Sequence, residues 1–122
     1  IFAVGVLAAL QVAQQLVADV VAIRNKHEPG TALVGGHDDL LFRSARAFAN
    51  SVENTGLFLL TLAFAVLRDA SPTWVDGLVW AYVASRAGHM LCYWFDFRIP
   101  RSLFFTVGVL AVIGLLVTGF VA

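Results

Sequence analysis

Two short polar series interrupt the apolar surroundings of this 122-residue chain. Arg46, Asn50 and Glu53 stand at i, i+4 and i+7, so on a helix they share one stripe. Arg86, His89 and Tyr93 stand at i, i+3 and i+7 and form a second stripe, and Arg98, Arg101 and Ser102 follow closely. Arginines gathered beside the free N–H groups of a helix start make a site for a small anion with several carboxylates. Glu53 and Arg86 lie several residues inside their helices, where each alone is an uncompensated buried charge, so they are expected to pair as a structural lock. The remaining residues fit two readings: an anion site, or anchors of the helix ends at a membrane interface, where Arg and Tyr are common. His89 taken alone reads as a hydrogen-bonded packing residue, and Cys92 as a small buried hydrophobe. Asp19, with Gln14 and Gln15, either completes a polar cavity or bonds to a neighbouring subunit. Three scattered histidines and one cysteine supply no ligand cluster, so no metal site is expected.

The elements that must carry these residues follow from composition. The chain is 60% hydrophobic and 13% charged, with a mean hydropathy of +0.84, far more apolar than a soluble domain. Eight Lys and Arg balance eight Asp and Glu, so no basic field points to nucleic acid. Four segments approach the roughly 20 apolar residues that a bilayer requires: about 1–23, 40–67, 72–95 and 103–121. The first reads as a spanning helix rather than a signal peptide, because it is long and no small-residue cleavage site precedes more hydrophobic sequence. Ser71-Pro72 marks the start of the third. The fourth is almost purely apolar, which excludes a soluble bundle with a polar face on every helix and predicts the most lipid-exposed span. Short turns at 68–72 and 96–102 make antiparallel neighbours. The expected fold is therefore all-α, one domain over 1–122: an integral membrane, multi-pass, antiparallel four-helix bundle. Arg24, Lys26, Arg43, Arg46, Arg98 and Arg101 gather on one side and only Arg68 on the other, which places the loops 24–39 and 96–102 in the cytoplasm.

The run Arg46-Ala47-Phe48-Ala49-Asn50-Ser51-Val52-Glu53-Asn54, continuing into Phe58-Leu59-Leu60, resembles the signature of the membrane-associated proteins in eicosanoid and glutathione metabolism. The later series Arg86, His89, Tyr93, Pro100, Arg101, Ser102 extends the resemblance over essentially the whole chain. It implies a homotrimer that binds glutathione between adjacent subunits, near the cytoplasmic side. Carried over residue by residue, it implies glutathione contacts from Arg46, Asn50, Glu53, His89 and Tyr93. Arg24, at the end of helix one, and Arg98 join them. Arg101 and Ser102 resemble the pair placed at the glutathione sulfur. The chain also departs from the pattern. Phe48 and Ala49 stand where some members have His and Arg, Phe105 where the prostaglandin synthase branch has Tyr, and Gly56 near a frequent proline. These departures argue against eicosanoid-specific activity and leave a general glutathione site.

A thiol with a pKa of about 8.5 is mostly protonated at neutral pH. An adjacent arginine favours the thiolate. The resemblance therefore implies that Arg101, aided by Ser102, activates glutathione for attack on a lipophilic electrophile or lipid hydroperoxide from the bilayer. Two other function classes stand beside this transferase or peroxidase. One is a non-catalytic lipid-binding scaffold, against which two converging arginines argue. The other is a small transporter subunit with Glu53, Arg86 and His89 as its polar pathway, against which the gathering of polar residues at one face argues.

Overall fold

Local signals set the helix boundaries. The structure, a computed structural model, describes residues 2–27 and 36–122, and Ile1 and positions 28–35 of the long first loop lie outside the described residues. Four helices follow: α1 (Phe2–Arg24), α2 (Leu40–Leu67), α3 (Pro72–Trp94) and α4 (Arg98–Val121). Asp39 caps α2, its carboxylate accepting from the Leu41 N–H at 3.0 Å. Pro72 opens α3, where its missing N–H has no helical partner to lose.

The first three helices end alike. Lys26, Asp69 and Asp96 adopt φ of 53°, 57° and 59°, and the next residue in each case bonds back five positions: His27 to Ala22 O, Ala70 to Ala65 O, Phe97 to Cys92 O. The left-handed residue itself bonds back three, to Ile23, Val66 and Tyr93. This is the Schellman arrangement, which turns the chain sharply while satisfying carbonyls that the helix end leaves free.

The expected spans 40–67 and 72–95 agree with α2 and α3 to within a residue. Helix four differs: it begins at Arg98, five residues ahead of the expected 103. Pro100 permits this, because its φ suits a helix and the first turn needs no N–H from it. The Arg101 N–H, donating to Phe97 O at 3.2 Å, closes the first turn.

Side-chain pairs give the directions. Gln11 bonds Thr55 and Ser51 bonds Gln14, so numbers rise on α1 as they fall on α2 and the two are antiparallel. Phe58 stacks on Tyr82 at 4.1 Å while Arg86 reaches Asn50, which makes α2 and α3 antiparallel. Gly88 lies against Phe104 and Gly114 against Leu78, so α3 and α4 are too. Contacts join α2 and α3 to each other and to both outer helices, and α1 does not touch α4.

Small residues let α4 approach closely. A side chain at Gly108 would come within 2.9 Å of Ser85 Oγ, and one at Gly119 within 2.5 Å of the Phe64 ring. Such close approach drives helix association where lipid removes the hydrophobic incentive. The expectation that helix four is the most lipid-exposed is therefore corrected: 28% of its apolar window is buried, against 11% for α1.

Among the described residues, three helices, α1, α2 and α4, are long and apolar enough to cross a membrane. The composition of α3 is more polar because it buries Ser85, Arg86 and His89 among its neighbours. With α2 it makes the central pair of the bundle, and it carries buried polar residues that the other helices pack around.

Candidate functional site

The turn 95–97 between α3 and α4 is both an end and a beginning. The Phe97 N–H closes α3 by donating to Cys92 O at 2.8 Å, and Phe97 O accepts the first helical bond of α4, from Arg101. Tyr93 and Arg101 therefore hang from opposite sides of one tight, fully bonded turn. The Arg101 guanidinium carbon lies 4.6 Å from the centre of the Tyr93 ring, a cation–π contact of about 0.5–2 kcal/mol. Around this pair a cleft of about 280 Å³ is lined by His89, Tyr93, Arg101, Ser102, Phe105 and Thr106. Four of the residues expected from the sequence thus meet in one cleft.

The cleft has the chemistry of an anion site. Arg101 Nη1 is buried and has no hydrogen-bond partner among the described residues, so one donor of a permanent cation is unmatched there. The Ser102 hydroxyl makes only a long 3.4 Å bond to Arg98 O. Because α4 starts at Arg98, Arg101 and Ser102 stand past the helix start. The free N–H groups expected beside them belong instead to Arg98 and Ile99, so the side chains of Arg101 and Ser102 are the local donors.

Behind the cleft stands Arg86, 2% exposed. Its Nη2 donates to Asn50 Oδ1 at 2.7 Å and Ser51 Oγ at 3.0 Å, and lies 3.3 Å from His89 Nδ1. Ser51 Oγ in turn donates to Gln14 Oε1 at 2.9 Å. A polar chain thus links α3, α2 and α1. Arginine has only donors, so any hydrogen bond between this pair runs from Arg86 to His89 Nδ1.

The expected Glu53–Arg86 pair is not formed. Glu53 pairs with Arg46 at 3.4 Å, the two side chains being 58% and 36% exposed. On α2 the buried residues are Ser44, Ala47, Ser51, Phe58, Thr61 and Ala65, and Glu53 lies well over a quarter-turn from that face. Asn50 stands at the inner edge of the Arg46–Glu53 stripe, so it reaches Arg86 while Glu53 turns outward.

Arg98 pairs with Asp96 at 3.5 Å, and Arg24 is exposed at the end of α1; neither lines the cleft. Asp19 is also exposed, whereas Gln14 is fully buried.

Two residues outside the expected set close the site from the loop side. The His37 ring stacks on Tyr93 at 5.9 Å and meets Phe42 edge-on at 4.9 Å. Arg43 holds it there, donating to His37 O at 2.8 Å and reaching Trp94 O at 3.5 Å. Arg43 precedes Arg46 by one helical turn, which was the available signal; His37 sits in a loop and carried none.

The model of the MAPEG family matches residues 1–121, and the chain belongs to that family. No curated protein matches it. With three apolar spans and this membership, it is a membrane protein.

Proposed function

We propose that this MAPEG member is a membrane glutathione transferase, with peroxidase activity arising from the same activated sulfur. The observation that carries the reading is the unpartnered Nη1 of Arg101 in a cleft it shares with Ser102, Tyr93 and His89. Glutathione bound there supplies a sulfur nucleophile for a lipophilic electrophile or a lipid hydroperoxide. Arg101 lowers the cost of negative charge at that sulfur by direct opposition of charge, and Ser102 adds a hydroxyl donor. Tyr93 holds the guanidinium in place through its ring face. His89, its Nδ1 edge 3.3 Å from Arg86, contributes its ring to the wall of the same cleft.

Glutathione carries two carboxylates and an ammonium group, and the cations and the carboxylate on α2 match it. Arg46, Asn50 and Glu53 are the proposed contacts for its peptide part, with Arg24 and Arg98 as outer contacts at the same end of the bundle. The exposed Arg46–Glu53 pair supports a homotrimer: charges turned outward from a lone chain would meet lipid at a cost, and a neighbouring copy covers them. In this reading α3 crosses the bilayer with the other three helices, and the loops 24–39 and 96–102 face the cytoplasm. A lipid scaffold without catalysis has no use for a buried, unpaired arginine donor at the cleft.

The test is turnover of a chlorodinitrobenzene-type electrophile with glutathione by protein purified in detergent. Wild type is expected to conjugate it, and Arg101→Ala to lose about 10²–10³-fold in kcat. Absence of both conjugation and hydroperoxide reduction in the wild type would contradict the reading.

A further inference from the structure

We infer that His37 is a positioning residue for Arg101: its ring, held between Phe42 and Tyr93, keeps the Tyr93 ring against the guanidinium. The inference rests on the glutathione reading above, because it names what keeps Arg101 directed at the sulfur. A loop histidine is ordinarily solvated, but this one is half-buried and fixed through both backbone and ring. The Asp39 N–H donates to Gly36 O at 3.0 Å and closes the turn 36–39. Arg43 Nη1 donates to His37 O at 2.8 Å, a charge-assisted bond, and its Nη2 reaches Trp94 O at 3.5 Å. One guanidinium on α2 thus ties the turn to the residue after Tyr93. The His37 ring then lies at 25° to the Tyr93 ring, with Phe42 at its edge at 69°.

Tyr93 is the point on which these contacts bear. It is 8% exposed, and its ring meets three side chains: Arg101 at 4.6 Å, His89 at 5.0 Å and His37 at 5.9 Å. His89 belongs to α3 and Arg101 to α4, so of the three His37 alone comes from outside that hairpin. Without the His37 ring, space opens beside Tyr93, and a side chain with free space takes other staggered rotamers. A Tyr93 ring that turns away no longer offers its face to the cation. At the strength of a cation–π contact, its loss shifts the balance between a held and a released Arg101 by about three- to tenfold.

The geometry also says which part of His37 acts. Its described hydrogen bond goes to the carbonyl oxygen, and the side chain meets its neighbours as a ring. Another aromatic side chain can therefore replace it, and a polar side chain without a ring cannot. His37 is not among the residues that line the cleft. Its effect on the sulfur runs through Arg101 and leaves the contacts of the electrophile alone.

The experiment labels arginines with phenylglyoxal in the purified protein in detergent, without glutathione, and follows Arg101 by peptide mass spectrometry. His37→Ala is expected to raise the labelling rate at Arg101 about three- to tenfold. Labelling of Arg86, 2% exposed, is expected to stay at the wild-type level and shows that the bundle is intact. His37→Phe is expected to keep the wild-type rate at Arg101, and His37→Gln to behave as His37→Ala. Thiolate absorbance against pH, read on the same samples after adding glutathione, is expected to show the bound thiol titrating about 0.5–1 pH unit higher in His37→Ala. KM for the electrophile is expected to be unchanged while kcat falls. Equal Arg101 labelling in wild type and His37→Ala, or rescue by His37→Gln and not by His37→Phe, would overturn the proposal. A wild type without thiolate absorbance, with Arg101 labelling still raised in His37→Ala, would sink the glutathione reading and uphold the positioning of Arg101.

Discussion

Arg86 keeps its place inside the bundle without a carboxylate, its Nη2 donating to Asn50 and Ser51 beside His89 Nδ1. Ser51 matters twice, accepting from Arg86 and donating its hydroxyl hydrogen bond to Gln14 Oε1. Ser51→Ala is therefore expected to destabilise the protein by about 1–3 kcal/mol, the cost of a buried donor left unmatched, as read from thermal unfolding in detergent. Glu53→Gln separates the observed network from a buried lock. An exposed pair such as Arg46–Glu53 contributes about 0–1 kcal/mol, whereas breaking a buried Glu53–Arg86 pair would cost about 3–5 kcal/mol. The expected loss is the smaller one, and glutathione affinity is expected to fall with it. Helical spacing put Arg46, Asn50 and Glu53 on one stripe, but spacing does not say which way a stripe faces. That is why Asn50 was legible as an inner residue and Glu53 was misplaced.

At the level of elements, the three helix ends share one strained feature: non-glycine residues with positive φ at Lys26, Asp69 and Asp96. Asp69 lies at the α2–α3 turn, away from the cleft. Asp69→Gly relieves the left-handed backbone and is expected to stabilise the protein by about 0.5–1 kcal/mol, seen as a raised unfolding midpoint. Gly119 makes the opposite case, because a Cβ there would lie 3.3 Å from the Ala65 Cα as well as against the Phe64 ring. Gly119→Val is expected to cost about 1–3 kcal/mol by overpacking α2 against α4. Pro72 was a plain start signal, and α2 and α3 begin at the expected places. The start of α4 was missed because Pro100 and the arginines at 98 and 101 read as a turn. Only the bonded geometry of residues 95–101 shows one helix handing the chain directly to the next.

For the whole molecule, apolar composition made the bundle legible and left its plan hidden. Nothing in the purity of α4 reveals that glycines seat it closely against α2 and α3, since hydropathy measures solvent preference and not the closeness of helices. The more polar composition of α3 follows from its central position, where Arg86 and His89 back the cleft of Tyr93, Arg101 and Ser102. The proposed homotrimer belongs to this scale too. Cross-linking in native membranes is expected to trap three copies, and Arg46→Ala is expected to reduce that yield together with glutathione binding. The central claim, that Arg101 stabilises a thiolate, is tested most directly by the ultraviolet difference spectrum on adding glutathione to the purified protein at neutral pH. Thiolate absorbance is expected with the wild type and expected to vanish in Arg101→Ala while the fold persists; no thiolate signal in the wild type, or an undiminished one in Arg101→Ala, would contradict it.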